Sequence, residues 1–306
     1  MIRTRLNTAI RVLRAPFFTA VIVPALLGTV LAWEQGHLDG WLFLLSLLGA
    51  VATNAGLNLS NDYFDHLSGN DARNETPTPF SGGSRMIQQG VVSAKQVLLI
   101  SLGFYALAII IGLYLAATRG WPLLVIGGIG MFIALFHNAP PIRLYHIAPG
   151  VGELASGIGC GPLIVLGCYY VQTQTLSWEA FGASGPVALL ATAILYINEF
   201  PDRQADAAVG RKTLPVVLGT ERAVWGYVAL LVGAYVVILF GTLAGIFPYA
   251  TLATFLTLPL AWRGIREAIR HHSDALALIP AQAATIQTHL SLGLLMCLGY
   301  LAAIVI

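Results

Sequence analysis

A chain of 306 residues that is 57% hydrophobic and only 10% charged falls far from the roughly one-quarter charged residues of a soluble domain. A water-soluble core could not absorb that much apolar surface, so a lipid bilayer is the implied surrounding. The net charge of +2 says little about partners, and no basic run is dense enough to suggest nucleic acid.

The first apolar stretch lies near 17 to 33, behind Arg3, Arg5, Arg11 and Arg14. Its ending, Val30-Leu31-Ala32, has the outline of a cleavable signal. Removing it would reverse the charge parity of every later loop, so it is read as a span. Charge-free runs follow at 41 to 61, 96 to 118, 120 to 142, 154 to 178, 180 to 198, 223 to 262 and 275 to 306, each close to or beyond the roughly 20 residues a bilayer-crossing helix needs. The 223 to 262 run is interrupted at Gly245-Ile246-Phe247-Pro248 and reads as two spans joined by a tight turn. The expected architecture is all-α: a multi-pass transmembrane bundle of about nine helices, forming one membrane-embedded domain over 1 to 306.

Cytoplasmic loops retain positive charge, which orients the bundle. Alternating the spans from a cytoplasmic N-terminus puts Arg3, Arg5, Arg11, Arg14, Arg73, Arg85, Lys95, Arg143, Arg203, Arg211, Lys212, Arg222, Arg263, Arg266 and Arg270 inside, and only Arg119 outside. A span count wrong by one would scatter them. The expected location is the cell (plasma) membrane, with the N-terminus and the long loops cytoplasmic.

The external loops are short, whereas the cytoplasmic segments 61 to 95 and 199 to 222 are long and rich in acids, Gly and Pro, the kind of loop that carries function. The first opens Asn61-Asp62-Tyr63-Phe64-Asp65 and the second follows Asn198-Glu199-Phe200-Pro201-Asp202. Both contain Asn-x-x-x-Asp after an even-numbered span, as an internal duplication would produce. Small residues such as Gly127-Gly128-Ile129-Gly130 and Gly157-Ile158-Gly159-Cys160-Gly161 suit close helix packing or a cleft for a long tail. Cys160, Cys168 and Cys297 read as small buried hydrophobes. His137 and His289 fall near predicted helix ends, His271 and His272 in a basic loop, and none has metal-ligand spacing.

Residues four apart project from one side of a helix, so Asn198, Asp202 and Asp206 form a polar stripe. Asp62 and Asp65 are three apart, and Asp71 follows a break at Gly69-Asn70. If the segments face each other, five carboxylates crowd together and require a compensating cation. Hard oxygen ligands suit Mg²⁺, which binds through a few carboxylates and substrate phosphate oxygens. Arg85, Arg143, Arg203, Arg211 and Lys212 stand nearby in sequence, and Arg suits bidentate phosphate contact.

At these residues the sequence resembles the UbiA superfamily of intramembrane prenyltransferases, nine-helix proteins with two aspartate-rich motifs. Within it the likeness is greatest to the branch that prenylates 1,4-dihydroxy-2-naphthoate in menaquinone synthesis. The first motif has that branch's spacing, with Asp71 six residues after Asp65, where ubiquinone-type members place an aspartate at the position of Gly69. Pro140-Pro141-Ile142-Arg143, Gly152-Glu153, Gly161 to Gly167, Tyr169-Tyr170-Val171-Gln172, Gly210-Arg211-Lys212-Thr213-Leu214 and Leu278-Ile279-Pro280-Ala281 leading to His289 are similar as well. Glu199 and Pro201 depart from the branch, which commonly has an Asn and an Arg in that stretch.

The resemblance implies transfer of an isoprenyl chain from a polyprenyl diphosphate to an aromatic acceptor. Mg²⁺ would be held by Asp62, Asp65, Asp71, Asp202 and Asp206, with Asp65 and Asp202 essential to catalysis. Arg143 and Lys212 would neutralise the departing diphosphate, and Asn61, Asn198, Arg85 and Arg203 would complete the substrate-binding set. Dihydroxynaphthoate is the implied acceptor; a hydroxybenzoate, a tetrapyrrole or a glycerol phosphate lipid are the open alternatives. A secondary transporter is the rival from another class, against which stands the absence of ionisable residues inside the predicted spans.

Overall fold

A computed structural model describes residues 14 to 305. Arg3, Arg5 and Arg11, expected on the cytoplasmic side, lie outside the described residues. Every regular element among those described is helical. In chain order these are α1 (Thr19–Glu34), α2 (Gly40–Ser68), α3 (Asn70–Arg73), α4 (Ala94–Arg119), α5 (Pro122–Phe136), α6 (Leu144–Ile147), α7 (Val151–Ile158), α8 (Ile164–Thr173), α9 (Trp178–Ala208), α10 (Leu214–Leu218), α11 (Thr220–Leu243), α12 (Leu258–His271) and α13 (Ile279–Val305). A π turn at Gly159–Leu163 joins α7 to α8 in one span, and a 3-10 helix at Tyr249–Thr257 precedes α12.

Six helices are long and apolar enough to cross a membrane, and α1 and α5 are shorter apolar helices. The protein is a multi-pass membrane protein. The long helices start at identifiable caps. Asp39 accepts from the backbone N–H of Trp41 at 2.8 Å and Leu42 at 3.0 Å, Ser93 and Gln96 close a capping box, and Ser177 accepts from Ala180; each satisfies N–H groups that a helix start leaves open.

Local chemistry explains the departures from the expected spans. The fourth span was expected to reach 142, but α5 ends at Phe136, ahead of Pro140-Pro141, because proline disfavours helix in the residue before it. The interruption at Gly245 to Pro248 is a turn in which Ile246 and Phe247 both donate to the Gly241 carbonyl. The following span opens as a 3-10 helix with threonine at every third residue. Thr251, Thr254 and Thr257 each donate to the carbonyl three residues back, at 2.7, 2.7 and 2.6 Å, a spacing that matches three residues per turn. His289, expected near a helix end, is fully buried in the middle of α13.

Helix α9 is the axis of the bundle, with 61% of its apolar window buried against 28% for α2 and α4. Outer faces such as Leu99, Leu102 and Ile110 of α4 are exposed, as expected where lipid is the solvent. Polar contacts fix which helix ends lie together. Asp39 and Gln172 exchange two hydrogen bonds of 2.7 and 3.0 Å, and the Arg119 guanidinium donates to the carbonyls of Val171 and Gln172 at 2.7 and 2.8 Å. Arg119, the one cation assigned outside, thus sits at the end of the bundle opposite the two aspartate-bearing segments.

Candidate active site

Helix α2 delivers Asn61, Asp62 and Asp65 on its last turns and stops at Gly69, whose φ of 74° is the left-handed conformation glycine supplies at a helix end. The chain restarts as α3 with Asn70 and Asp71, so the break expected at Gly69-Asn70 is present. Helix α9 runs unbroken through the second motif and carries Asn198, Glu199, Asp202 and Asp206. Two amides tie these segments together. Asn70 Nδ2 donates to Asp206 Oδ1 at 2.8 Å, and Asn74 Nδ2 donates to Asp202 Oδ1 at 2.7 Å.

The loop after α3 folds its backbone into the acidic cluster. Gly82 N–H donates to Asp202 Oδ2 at 3.0 Å, and Ser84 N–H reaches both oxygens of Asp62 at 3.2 and 3.3 Å. A Cβ on Gly83 would stand 2.9 Å from both Asp71 carboxylate oxygens and 3.1 Å from Asp62 Oδ1. Asp62 and Asp71 therefore flank one point of bare backbone.

One cation enters the cluster. The Arg211 guanidinium bonds Asp206 Oδ1 at 2.9 Å and pairs with Asp65 Oδ1 through its other nitrogen. It bridges the two motifs and lies 5.3 Å over the Tyr145 ring. Burial opposes its charge, but Asp65 and Asp206 more than offset this and hold it firmly protonated. Asn138 donates to Asn61 and, at 3.4 Å, to Asp65, and Asn61 donates to Asp65 Oδ2 at 3.0 Å.

The other predicted cations lie elsewhere. Arg85 turns to the main-chain carbonyls of Asp71 and, at 3.5 Å, Asn74. Lys212, expected at the leaving group, is exposed and donates to the Ile147 carbonyl at 3.2 Å. Arg143 lines a separate polar depression behind Asp65 and Arg211. Arg203 is half-buried on α9 and does not line the cavity at the cluster. Arg14, read from sequence only as a topology signal, lines that cavity and bonds the Phe80 carbonyl at 3.3 Å.

Asp71 has the most perturbed carboxyl outside the spans. Burial, and then the charges of Asp65 and Asp62, push it up to about 8, against the opposing pull of Arg14 and Arg85. Its Oδ1 is buried without a partner. A cation at the cluster would relieve both conditions. Among the described residues no three Asp, Glu, His or Cys side chains form a preassembled chelate. Mg²⁺ takes one or two carboxylates and completes its octahedron with substrate phosphate oxygens and water. Asp62, Asp65, Asp71, Asp202 and Asp206 are the residues able to hold it.

From the cluster a cavity of about 530 Å³ runs into the apolar layer. Its polar end is walled by Asn61, Asp65, Asp71, Asp202 and Asp206. Its far end is walled by Ile109, Leu113, Leu124, Ile126 and Met131. The glycines divide between the two roles expected of them. Gly127 and Gly128 have open space where a side chain would stand, whereas a Cβ on Gly161 would lie 2.3 Å from that of Ala188, so Gly161 serves contact between α9 and the π turn. On the same wall, His137 and Tyr145 meet edge to face with centroids 4.5 Å apart. Burial, reinforced by Arg211, pushes His137 down to about 4, and burial together with Glu199 and Glu153 raises Tyr145 well above the ordinary tyrosine value.

Residues 21–278 match the family model described as the UbiA prenyltransferase family. The chain belongs to that family. Across it, 31% identity extends over 291 residues, 94% of this chain and 91% of the relative, to the 2-carboxy-1,4-naphthoquinone phytyltransferase of Synechocystis sp.. The 1,4-dihydroxy-2-naphthoate octaprenyltransferase of Bacillus subtilis is also 31% identical, over 92% of this chain and 88% of its own length. Among solved structures, a UbiA homologue from Archaeoglobus fulgidus bound to DMAPP and Mg²⁺ superposes with a TM-score of 0.61 at 16% identity, covering 97% of this chain and 99% of that one; this likeness shows the fold.

In this UbiA-family chain, sequence reasoning missed the carboxylate partners Asn70, Asn74 and Asn138, along with Arg14, and counted Arg211 only among the nearby basic residues. Asn70 entered only as part of the break at Gly69-Asn70, and Arg14 only as a topology signal. One available signal was the pairing of Arg211 with Gly210, whose φ of 80° turns the chain back toward α9.

Proposed function

We propose that this protein transfers a polyprenyl group from its diphosphate to an electron-rich aromatic acceptor of the 1,4-dihydroxy-2-naphthoate type, at a Mg²⁺-dependent site on the cytoplasmic face of the cell membrane. The observation that carries this reading is the junction of Asp202 and Asp206 with Asn70 and Asn74 at the mouth of a cavity with an apolar far end. An amphiphile with an anionic head and a long hydrocarbon chain matches that gradient. The naphthoate-acting relatives that align over more than nine-tenths of this chain supply the acceptor class.

The residues divide the work by charge. Asp62, Asp65, Asp71, Asp202 and Asp206 would hold Mg²⁺, which when bound would supply charge stabilisation to the diphosphate. Arg211 faces the same head group from its bridge between Asp65 and Asp206, and Arg14 lines the same cavity; fixed cations aimed at developing negative charge lower the barrier without reorganising. Gly82 and Ser84 orient Asp202 and Asp62 through backbone N–H groups. Ile109, Leu113 and Met131 exclude water from the hydrocarbon chain, which protects an allylic cation from hydrolysis.

The test is product analysis. The purified protein, given Mg²⁺ and a labelled polyprenyl diphosphate together with dihydroxynaphthoate, 4-hydroxybenzoate and a glycerol phosphate lipid, is expected to yield a prenylated naphthoquinol lacking the carboxyl group. Transfer to the glycerol phosphate lipid alone would overturn the acceptor class, and no transfer to any of them would overturn the activity.

A further inference from the structure

Glu199 belongs to the second motif but takes no part in the carboxylate cluster. It lies three residues before Asp202 on α9, about 4.5 Å further along the axis away from the mouth. It is 4% exposed and sits on the cavity wall. Both its carboxyl oxygens are buried without a hydrogen-bond partner among the described residues. The side chains facing it are Glu153 and Tyr145. Glu153 accepts the Leu214 N–H at 2.7 Å, which anchors the loop carrying Arg211, and its second oxygen is also unpartnered. A Cβ on Gly152 would meet the Tyr145 ring at 2.3 Å, so the glycine beside Glu153 is what allows Tyr145 to pack here.

Among the described residues, Tyr145 is the one side chain that offers Glu199 a donor, and it does not close to a full hydrogen bond; buried carboxyl oxygens left short of donors are costly, so a ligand that satisfies them must bring N–H or O–H groups. Asn198 Oδ1, on the neighbouring residue, is likewise a buried acceptor without a partner. An allylic diphosphate offers acceptors and negative charge only, and Glu199 would repel it. A hydroxyaromatic offers donors. Its ring would lie along the cavity wall that Glu199 shares with His137 and Tyr145.

We infer, on the reading proposed above, that Glu199 is the acceptor-side catalytic residue: its carboxylate binds the aromatic hydroxyl and removes the proton as the ring attacks, with Glu153 and Tyr145 as positioning residues. The electron pair left on oxygen moves into the ring, the ring carbon bonds to the allylic carbon, and the allylic C–O pair leaves with diphosphate. Aromaticity returns when the group on the attacked carbon, a proton or carbon dioxide, departs without its bonding pair; the proton then passes from Glu199 back to oxygen.

The experiment compares wild type with Glu199→Gln, which keeps size and hydrogen-bonding capacity but cannot take the proton. Both are assayed as full-length protein in lipid nanodiscs with Mg²⁺, geranyl diphosphate and a series of hydroxynaphthoates of increasing hydroxyl acidity. Expected are a fall in kcat of at least 30-fold with dihydroxynaphthoate, a diphosphate KM within twofold of wild type, and progressive rescue as the hydroxyl becomes more acidic, which a merely structural role would not produce. A kcat within threefold of wild type, an equal deficit with every acceptor, or a parallel loss of diphosphate binding would overturn the inference. A wild type that prenylates none of the series would remove the proposed activity and the inference with it, an outcome distinct from an active wild type with an unaffected variant.

Discussion

Asn70 donates its side-chain amide to Asp206 Oδ1 at 2.8 Å across 136 residues of sequence. With the Asn74–Asp202 bond it is one of two side-chain amide links between the two acidic segments. Asn70→Ala is expected to remove a buried hydrogen bond to a charged acceptor, which costs about 1–3 kcal/mol. The variant should unfold at a lower temperature and lose roughly tenfold in kcat/KM for the diphosphate, since Asp206 would keep only Arg211 as an anchor. Thermal unfolding and steady-state kinetics on one preparation check this; unchanged kcat/KM despite lower stability would separate the link from the site.

Metal removal should be decisive. Excess chelator is expected to abolish transfer. Mg²⁺ together with diphosphate should raise the unfolding temperature well beyond either alone, because linkage stabilises by about 2.7 kcal/mol when a ligand is at 100 times its Kd. Full turnover in chelator would sink the assignment of the five aspartates.

The two central aspartates should differ in how they fail. Asp65→Asn and Asp202→Asn are expected to lower transfer at least 100-fold while the protein stays folded. Asp65→Ala should destabilise more than Asp202→Ala, because it strips the buried Arg211 of one of its two carboxylates, and a buried charge that loses its partner is costly. Asp202 is less buried and gives up one amide and one N–H bond. Comparing unfolding temperatures of the metal-free variants reads the order directly.

The adjacent cations Arg211 and Lys212 provide a sharper contrast. Arg211→Met is expected to lose at least 100-fold in kcat, and Lys212→Met less than threefold, measured with saturating Mg²⁺ and both substrates. Equal losses would mean that the inward and outward roles of the two side chains exchange when substrate binds.

That contrast also shows what the sequence could reveal. Charge-free runs announced the helices, and the spacing of Asn198, Asp202 and Asp206 announced one face of α9, because helical periodicity converts directly into direction. Past Gly210 there is no period. Whether Arg211 or Lys212 turns inward is decided by the Lys212 N–H bonding the Tyr145 carbonyl at 2.8 Å and by Asp65 arriving from a helix 146 residues away. Neither is visible locally. The roles of Asn70, Asn74 and Asn138 were hidden in the same way, since an amide serving a distant carboxylate looks like any loop asparagine. Pro140-Pro141 did carry the signal that shortens α5, and the run of charge-free residues around it masked that signal.

Sidedness is the remaining expectation that one measurement can decide. The structure places both acidic segments at one end of the bundle and Arg119, Gln172 and Gln174 at the other, and the distribution of Lys and Arg assigns the acidic end to the cytoplasm. A cysteine at exposed Glu75 should therefore resist a membrane-impermeant maleimide in intact cells and react once the membrane is opened. A cysteine at exposed Gln174 should react in both conditions. The native cysteines give little background, because Cys168 and Cys297 are buried and Cys160 is half-buried on the cavity wall within a span. Labelling of position 75 in intact cells would invert the protein in the membrane. It would also move the diphosphate site to the external face, although the joined acidic segments would still lie on one side. Labelling of both positions in intact cells would contradict the bundle itself, since α2 must then fail to cross between Asp39 and Ser68.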